Sequence, residues 1–460
     1  MQKTSTVDLT NGGVWRTLLK YTLPLFGCAM VQQLYSLVDL LVVGNFSYDG
    51  ALSVDAIGNA TNVINILLAF AIGANGGCSV IIAKHFGAKN NLKVRETANT
   101  AVIAFSVMCA VIMTLGLGFA PQLLTALSVH GSYFDMCLEY LYIYTGSLPF
   151  IFLYNVGCGV CSALGDSVTP FIFLVISSVL NVALDLIFVC ALHLDVAGAA
   201  WATFISQVIS GMLTLIVLVR KLKAIRPDTK PKKFDGVILR DLVFTSVPII
   251  LQQSFVSVGN FFVMKRINML GEDATCGFTT AFKLVTMSNS GVINMTNGLA
   301  NFASQNKAAG KFERIRLGYL AVLCMTMAVT AVFMIMLIAF PEPFTRLFVQ
   351  SEKLTDAALE YSKQFLVIVS AFLPTVCIKI VSDGAVRGCG GNVGFTVSTF
   401  TDLILRVALV YLLTEVGWGF SGVCWAWAIG WSVSMMLAVV FYVRIRCLRG
   451  VKIFPRKNLT

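Results

Sequence analysis

Residues 23–46 read LPLFGCAMVQQLYSLVDLLVVGNF. No side chain from Leu23 to Val38 carries a charge. A helix of about 20 such residues crosses the 30 Å hydrocarbon core of a bilayer. Asp39 interrupts the run, and apolar residues then resume. A carboxylate in the middle of a membrane helix costs about 2.5–3.5 kcal/mol on insertion scales. The stretch therefore predicts a membrane span and demands a reason for the acid within it.

The rest of the chain agrees with the first reading. Of its 460 residues, 57% are hydrophobic and 12% charged, and the mean hydropathy is +0.81. Soluble domains carry about 25% charged residues. The composition predicts an all-α polytopic membrane protein. The N-terminal MQKTSTVDLTNGG is polar and lacks a signal-peptide pattern, so no cleaved signal is expected. The 13 cysteines lie mostly in apolar runs, and the Cys158–Cys161 pair reads as helix packing.

Span-length apolar runs recur twelve times, at about 16–46, 52–84, 93–119, 134–158, 169–192, 196–220, 240–266, 274–303, 313–340, 360–386, 393–415 and 420–445. Breaks fall at turn residues such as Gly87, Pro121, Gly165, Pro170, Gly310, Pro341 and Gly417. With both termini placed inside, 26 of the 34 Lys and Arg fall on inward segments and four on outward ones: Lys265, Arg266, Arg346 and Lys353. That bias predicts cytoplasmic termini. It also accounts for the net charge of +11 through topology and lipid headgroups rather than nucleic acid.

Residues 221–236, KLKAIRPDTKPKKFDG, read as a basic linker between halves. The halves repeat. AKHFGAKNNLKVRETA (83–98) matches ASQNKAAGKFERIRLG (303–318), SALGDSVTP (from Ser162) matches RGCGGNVGF (from Arg387), and VAGAAWAT (from Val196) matches FSGVCWAW (from Phe420). Pro24 and Pro248 sit alike in the first span of each half. Offsets of 220–225 predict a six-plus-six duplication. An even number of spans makes the repeats parallel, about an axis along the membrane normal. The expected organisation is an N-terminal lobe at 1–220, a linker at 221–239, and a C-terminal lobe with a basic tail at 240–460. Such an architecture places a cavity between lobes.

The pattern Pro24…QQLYSLVD39…VG44, the FGAKNN loop near Gly87, the ALGD turn near Gly165 and LNVALD…GAAWAT (180–203) resemble the multidrug and toxic compound extrusion (MATE) transporters, particularly their DinF-like bacterial branch. The likeness spans nearly the whole chain. Ser162 departs from the arginine often found before the family's glycine-aspartate turn, whereas Arg387 keeps it in the second half. The resemblance implies alternating-access export of organic cations or other amphipathic small molecules, driven by Na+ or H+, from a bacterial plasma (inner) membrane. It implies no catalytic activity and no cofactor beyond the coupling ion. The coupling cation is then expected at Asp39, Asn181, Asp185 and Thr203, supported by Tyr140 and Asn155.

The residues support that site independently. Asn181 and Asp185 are four apart and share a helix face. Asp39 lies seven residues before the outer span end at Phe46, Asp185 seven before Leu192, and Thr203 seven after Val196. Each is thus about 10 Å deep. Two carboxylates without a basic neighbour require a proton or a cation between them. Oxygen ligands suit sodium or a proton rather than a soft metal.

In the second half, Lys379 with Asp383 and Asp402 with Arg406 are i,i+4 pairs whose simplest reading is internal neutralisation. Lys283 lacks a sequence-local partner, which leaves an acid across the bundle or a cavity-facing cation. Substrate-cavity candidates are Gln33, Tyr35, Asn155, Asn260 and Lys283, with inter-helix hydrogen bonding as the competing role for the polar ones. The methionines of the ninth span read as lipid or core contacts. A flippase for a lipid-linked precursor is the alternative within transport, and it would need a basic cavity. A membrane-embedded enzyme lacks a motif here: there is no HExxH and no phosphate loop. No sequence feature predicts an oligomer, so a monomer among membrane lipids is expected.

Overall fold

The computed structural model describes residues 7–47, 50–126, 129, 131, 133–348 and 355–445. Lys3, Lys353 and the basic tail beyond residue 445 lie outside the described residues. Those described are mostly helical, with turns and loops between the helices and no strand among them. This is what lipid dictates: a spanning segment must satisfy its own backbone hydrogen bonds.

The first repeat comprises α1 (Val14–Phe46), α2 (Gly50–Gly87), α3 (Asn91–Gly118), the short α4 (Ala120–Ala126), α5 (Phe134–Gly146), α6 (Leu148–Ala163), α7 (Val168–Asp185) and α8 (Asp195–Ala224). The second comprises α9 (Gly236–Asn268), α10 (Glu272–Ala308), α11 (Phe312–Ala339), the short α12 (Pro341–Phe348), α13 (Asp356–Ala371), α14 (Leu373–Gly388), α15 (Asn392–Leu413) and α16 (Gly419–Val443). Without the two short helices these are twelve segments in chain order, when α5–α6 and α13–α14, bent by 47° and 51°, are each taken as one. The expected fourth and tenth spans are therefore broken helices. The signal was Pro149 and Pro374, each in the first turn after its break.

Each repeat has the same packing. In the first, α2 lies against α3, α5 and α6, and α8 against α5, α6 and α7; in the second, α10 and α16 take those two roles. Both repeats turn at a left-handed glycine, Gly165 (φ +84°) and Gly390 (φ +77°). In both, the fifth span ends in a wider π-helical turn, at Leu186–Ala191 and Thr414–Trp418.

By contacts the chain divides into two compact units: Met1–Asp8 with Gly27–Ser254, and Leu9–Phe26 with Phe255–Thr460. This differs from the chain-order halves in two half-helices. The first part of α1 belongs to the second unit, and the first part of α9 to the first. The basic loops tie these exchanged segments down. In the first unit, Lys93 reaches Glu96 (2.8 Å) and Asp235 (3.3 Å), and Glu96 accepts the backbone N–H of Lys232. In the second, Arg314 donates to the carbonyls of Gly12 (2.7 Å) and Leu9, and Lys311 donates to that of Thr10.

The first unit holds two apolar cores. One is built around Ile82, Phe105, Phe152 and Val160, the other around Val43, Ile57, Leu124, Tyr140 and Val196. The second unit is centred on Trp427, Phe278 and Phe365. Cys158 and Cys161 are buried free thiols, in keeping with a packing role.

Candidate functional site

Helix α7 is polar inside and apolar outside, the inverse of a water-soluble helix. Ile172, Ile176 and Val179 are exposed, while Ser177, Ser178, Asn181 and Asp185 are buried. On α8 the buried polar residues are Thr203, Ser206, Ser210 and Thr214. Their spacings of three and four hold them on one face. Helices that meet in lipid gain nothing from apolar contact that lipid tails would not give. Small and polar residues therefore make the seam. Across it the Asn181 amide donates to the Thr203 hydroxyl at 3.4 Å, and Ser177 donates to the carbonyl of Ser206 at 3.1 Å.

At the end of this seam far from the α6–α7 turn sit two acids. Asp39 is 9% exposed and Asp185 0%. They are close enough to act on each other electrostatically, and Asp39 acts likewise on Tyr35, Tyr140 and Tyr144. No lysine, arginine or histidine among the described residues forms an ion pair with either acid. Among the described residues, no hydrogen-bond donor reaches either carboxylate oxygen of Asp185, one of Asp39 or the amide oxygen of Asn181, all of them buried. An unpaired buried carboxylate costs several kcal/mol, and two side by side cannot both stay charged alone. Protonation or a hard cation relieves both costs, and this all-oxygen set suits either.

Beside the acids, along the α7–α8 seam, the free space is narrow, and its lining includes neither acid. A pocket lined by Tyr35, Leu174, Ser177, Ser178, Asn181, Thr203, Ser206 and Gln207 leaves about 10 Å³ for the centre of a water-sized particle. That is room for one water or one bare ion. Behind the site, Gly198 lets α8 approach the π turn that follows Asp185: a Cβ there would lie 3.1 Å from the Cβ of Phe188.

The other candidates fall as follows. Tyr140 is buried, with its ring stacked on Tyr144 at 6.1 Å. Tyr35 lines the narrow pocket. Asn155 spends its amide on the Ile151 carbonyl of its own helix (2.9 Å). Gln33 and Asn260 are half-buried and Lys283 is exposed. No acid among the described residues pairs with Lys283, so the partner-across-the-bundle alternative is not what the structure places there. Sequence reasoning passed over Ser178 and Ser206. Their signal was available: each lies three residues from a site residue, Asn181 and Thr203.

The second repeat shows what the site is not. LNVALD (180–185) aligns with LRVALV (405–410) at an offset of 225, and Thr203 aligns with Trp427 at 224. Asp39 lies between the Pro24–Pro248 match, at an offset of 224, and the 83–98 match, at 220, and so falls within 259–263, GNFFV, which holds no acid. So Asn181, Asp185 and Thr203 become Arg406, Val410 and Trp427, and both acids vanish. Arg406 pairs with Asp402 at 3.5 Å and lies 4.9 Å from the Trp427 ring centre. The second unit thus holds a tethered cation where the first holds bare oxygens. Lys379 and Asp383 are also paired, at 3.1 Å, as the internal-neutralisation reading expected.

At the opposite end of the seam, Asp166 precedes α7. It accepts the Thr169 N–H (3.0 Å) and hydroxyl (2.5 Å) and pairs with Lys221 at 2.7 Å. Burial alone would raise its pKa. The Lys221 ammonium and the Thr169 donors outweigh burial and hold it below the ordinary aspartate range. Arg387, at the place of Ser162, donates to the Asn297 side-chain oxygen at 2.5 Å.

Comparison with known proteins agrees with the duplication. The MatE family model matches twice, at residues 24–187 and 248–412. The probable multidrug resistance protein YpnP of Bacillus subtilis (strain 168) is 25% identical over 456 residues, 98% of this chain and 99% of its own length. The multidrug export protein MepA of Staphylococcus haemolyticus (strain JCSC1435) is 22% identical over 436 residues, 94% of each chain. Among solved structures, a MATE transporter in complex with MaL6 superposes with a TM-score of 0.89 at 22% identity, covering 97% of this chain and 99% of that one. A MOP superfamily transporter from Pyrococcus furiosus Vc1 (DSM3638) gives the same score, identity and coverage. With the family model matched in both repeats, the chain belongs to the MatE family of membrane transporters.

Proposed function

We propose that this protein exports amphipathic organic compounds from a bacterial cell across its plasma membrane, in exchange for Na+ or H+ that binds at Asp39 and Asp185. The observation that carries the reading is the set of buried, donor-free oxygens on Asp39, Asn181 and Asp185 in the first unit, which the second repeat lacks. The multidrug-export descriptions of YpnP and MepA support the substrate class. The Lys and Arg asymmetry supports cytoplasmic termini.

In this mechanism the acid pair is the switch. A proton or cation neutralises it and favours one packing of α1 and α7; the substrate favours the other. Exchange needs only that each ligand bind the two states with different affinity. The helix elements suited to move are the Pro24-containing α1 and the π turn after Asp185.

The test is efflux of a fluorescent organic cation from proteoliposomes under imposed sodium and proton gradients, applied separately, with wild type and Asp39→Asn. Export driven by one gradient and lost in the folded variant supports the proposal and names the ion. Equal gradient-driven export by both proteins refutes the role of Asp39.

A further inference from the structure

We infer that the hydroxyls of Ser178 and Ser206, with the amide oxygen of Asn181, form a second oxygen-lined station for the coupling cation. It lies one to two helical turns from the acid pair toward the α6–α7 turn, and the cation reaches and leaves Asp39 and Asp185 through it. The inference rests on the coupling role proposed for the acids and adds a route to it.

Three observations carry it. Ser178 and Ser206 are 7% and 2% exposed, and neither hydroxyl has a hydrogen-bond partner among the described residues. Buried hydroxyls elsewhere back-bond to their own helix, as Thr22 does to Leu18 and Thr326 to Val322. These two unpaired hydroxyls line a single pocket, where an occupant could satisfy both. The pocket they share with Asn181 and Thr203 has room for one water-sized particle, and so for one water or ion in transit.

The third observation is the internal repeat. At the offsets that relate Asp185 to Val410 and Thr203 to Trp427, Ser178 becomes Leu403 and Ser206 becomes Gly430. Deeper in the seam, Ser210 becomes Ser434 and keeps its hydroxyl. The repeat without the acids thus also lacks these two hydroxyls. A packing role for them would be served equally in both units; a role tied to the cation would not. The stripe continues along α8 through Ser210 to Thr214, whose buried hydroxyl is also unpaired. From Thr203 to Thr214 this covers about 16 Å at 1.5 Å per residue. It leads toward the end of the unit where Lys221 meets Asp166.

The test separates affinity from rate in the full-length protein. Equilibrium binding of sodium-22 is measured in detergent, and proton uptake with a pH dye in sodium-free buffer. Gradient-driven efflux is measured in proteoliposomes. For the double variant Ser178→Ala/Ser206→Ala we expect equilibrium affinity within about twofold of wild type and a gradient-driven rate at least tenfold lower. Ser178→Thr/Ser206→Thr, which keeps both hydroxyls, should recover a good part of the rate. The single alanine variants, each removing one oxygen, should show intermediate rates and guard against a misfolded double variant. Unchanged rates in the alanine variants overturn the station. Affinity and rate falling in parallel also overturn it, by making the serines part of the acid site. Wild-type binding by Asp39→Asn identifies the other failure, that of the coupling role on which the inference rests.

Discussion

Replacing Arg406 by methionine tests the claim that the second unit carries its own fixed cation. Arg406 and Asp402 are each 7% exposed, 3.5 Å apart, on successive turns of α15. Unit charges at that distance attract by about 5 kcal/mol at an effective dielectric of 20. The guanidinium over Trp427 adds about 0.5–2 kcal/mol. Arg406→Met removes both and strands Asp402, one of whose oxygens already lacks a donor. The expected loss is about 3–5 kcal/mol. For a unit of some 200 residues that lowers an unfolding midpoint by on the order of 10 °C. Adding Asp402→Asn removes the stranded charge, so the double variant should return to within about 1–2 kcal/mol of wild type. The assay is thermal unfolding in detergent of wild type, both single variants and the double, read as a cycle. Gradient-driven efflux by the double variant should survive, because the pair neutralises itself and exchanges nothing. Additive losses in the cycle, or a double variant as unstable as Arg406→Met, would refute the reasoning.

Other outcomes follow from the same geometry. Gly198→Ala and Gly422→Ala both crowd a π turn, with new Cβ contacts of 3.1 and 2.9 Å, and each should cost about 1–3 kcal/mol of stability; only Gly198→Ala should weaken cation binding, measured with sodium-22 or a pH dye. Asp166→Asn should cost about 2 kcal/mol at neutral pH by weakening the tie to Lys221 and the first turn of α7. Because the folded pKa of Asp166 is depressed, its contribution is complete above the ordinary aspartate value of about 3.9. The gap between wild type and variant in unfolding midpoint should therefore hold from pH 8 to about 5 and close as the pH falls through the folded value. A wild-type protein that binds sodium should gain about 2.7 kcal/mol at a hundredfold excess over its dissociation constant; Asp185→Asn should lose most of that gain in a thermal-shift titration.

Much of this was legible in the sequence because lipid leaves a chain few choices. Uncharged runs had to be helices, and the lone Asp39 had to be explained. Repeat offsets of 220–225 reveal the duplication, and the depth argument groups Asp39, Asp185 and Thr203. Three things were not read. The bends before Pro149 and Pro374 were missed because hydropathy is blind to a break inside an apolar run. The exchange of the first parts of α1 and α9 depends on tertiary contacts such as Arg314 to Gly12, which no local pattern encodes. Ser178 and Ser206 were overlooked because serine is common at helix seams, and what sets them apart is that both unpaired hydroxyls line one pocket.

The central claim is that the acid pair binds the coupling ion and the substrate displaces it. Its most direct test is to add a transported organic cation to purified protein in weakly buffered solution and to record released protons with a pH dye and released sodium with a sodium electrode. The account predicts release of one of the two by wild type on substrate binding, and none by Asp39→Asn/Asp185→Asn. Substrate binding without release by wild type, or undiminished release by the double variant, would contradict it.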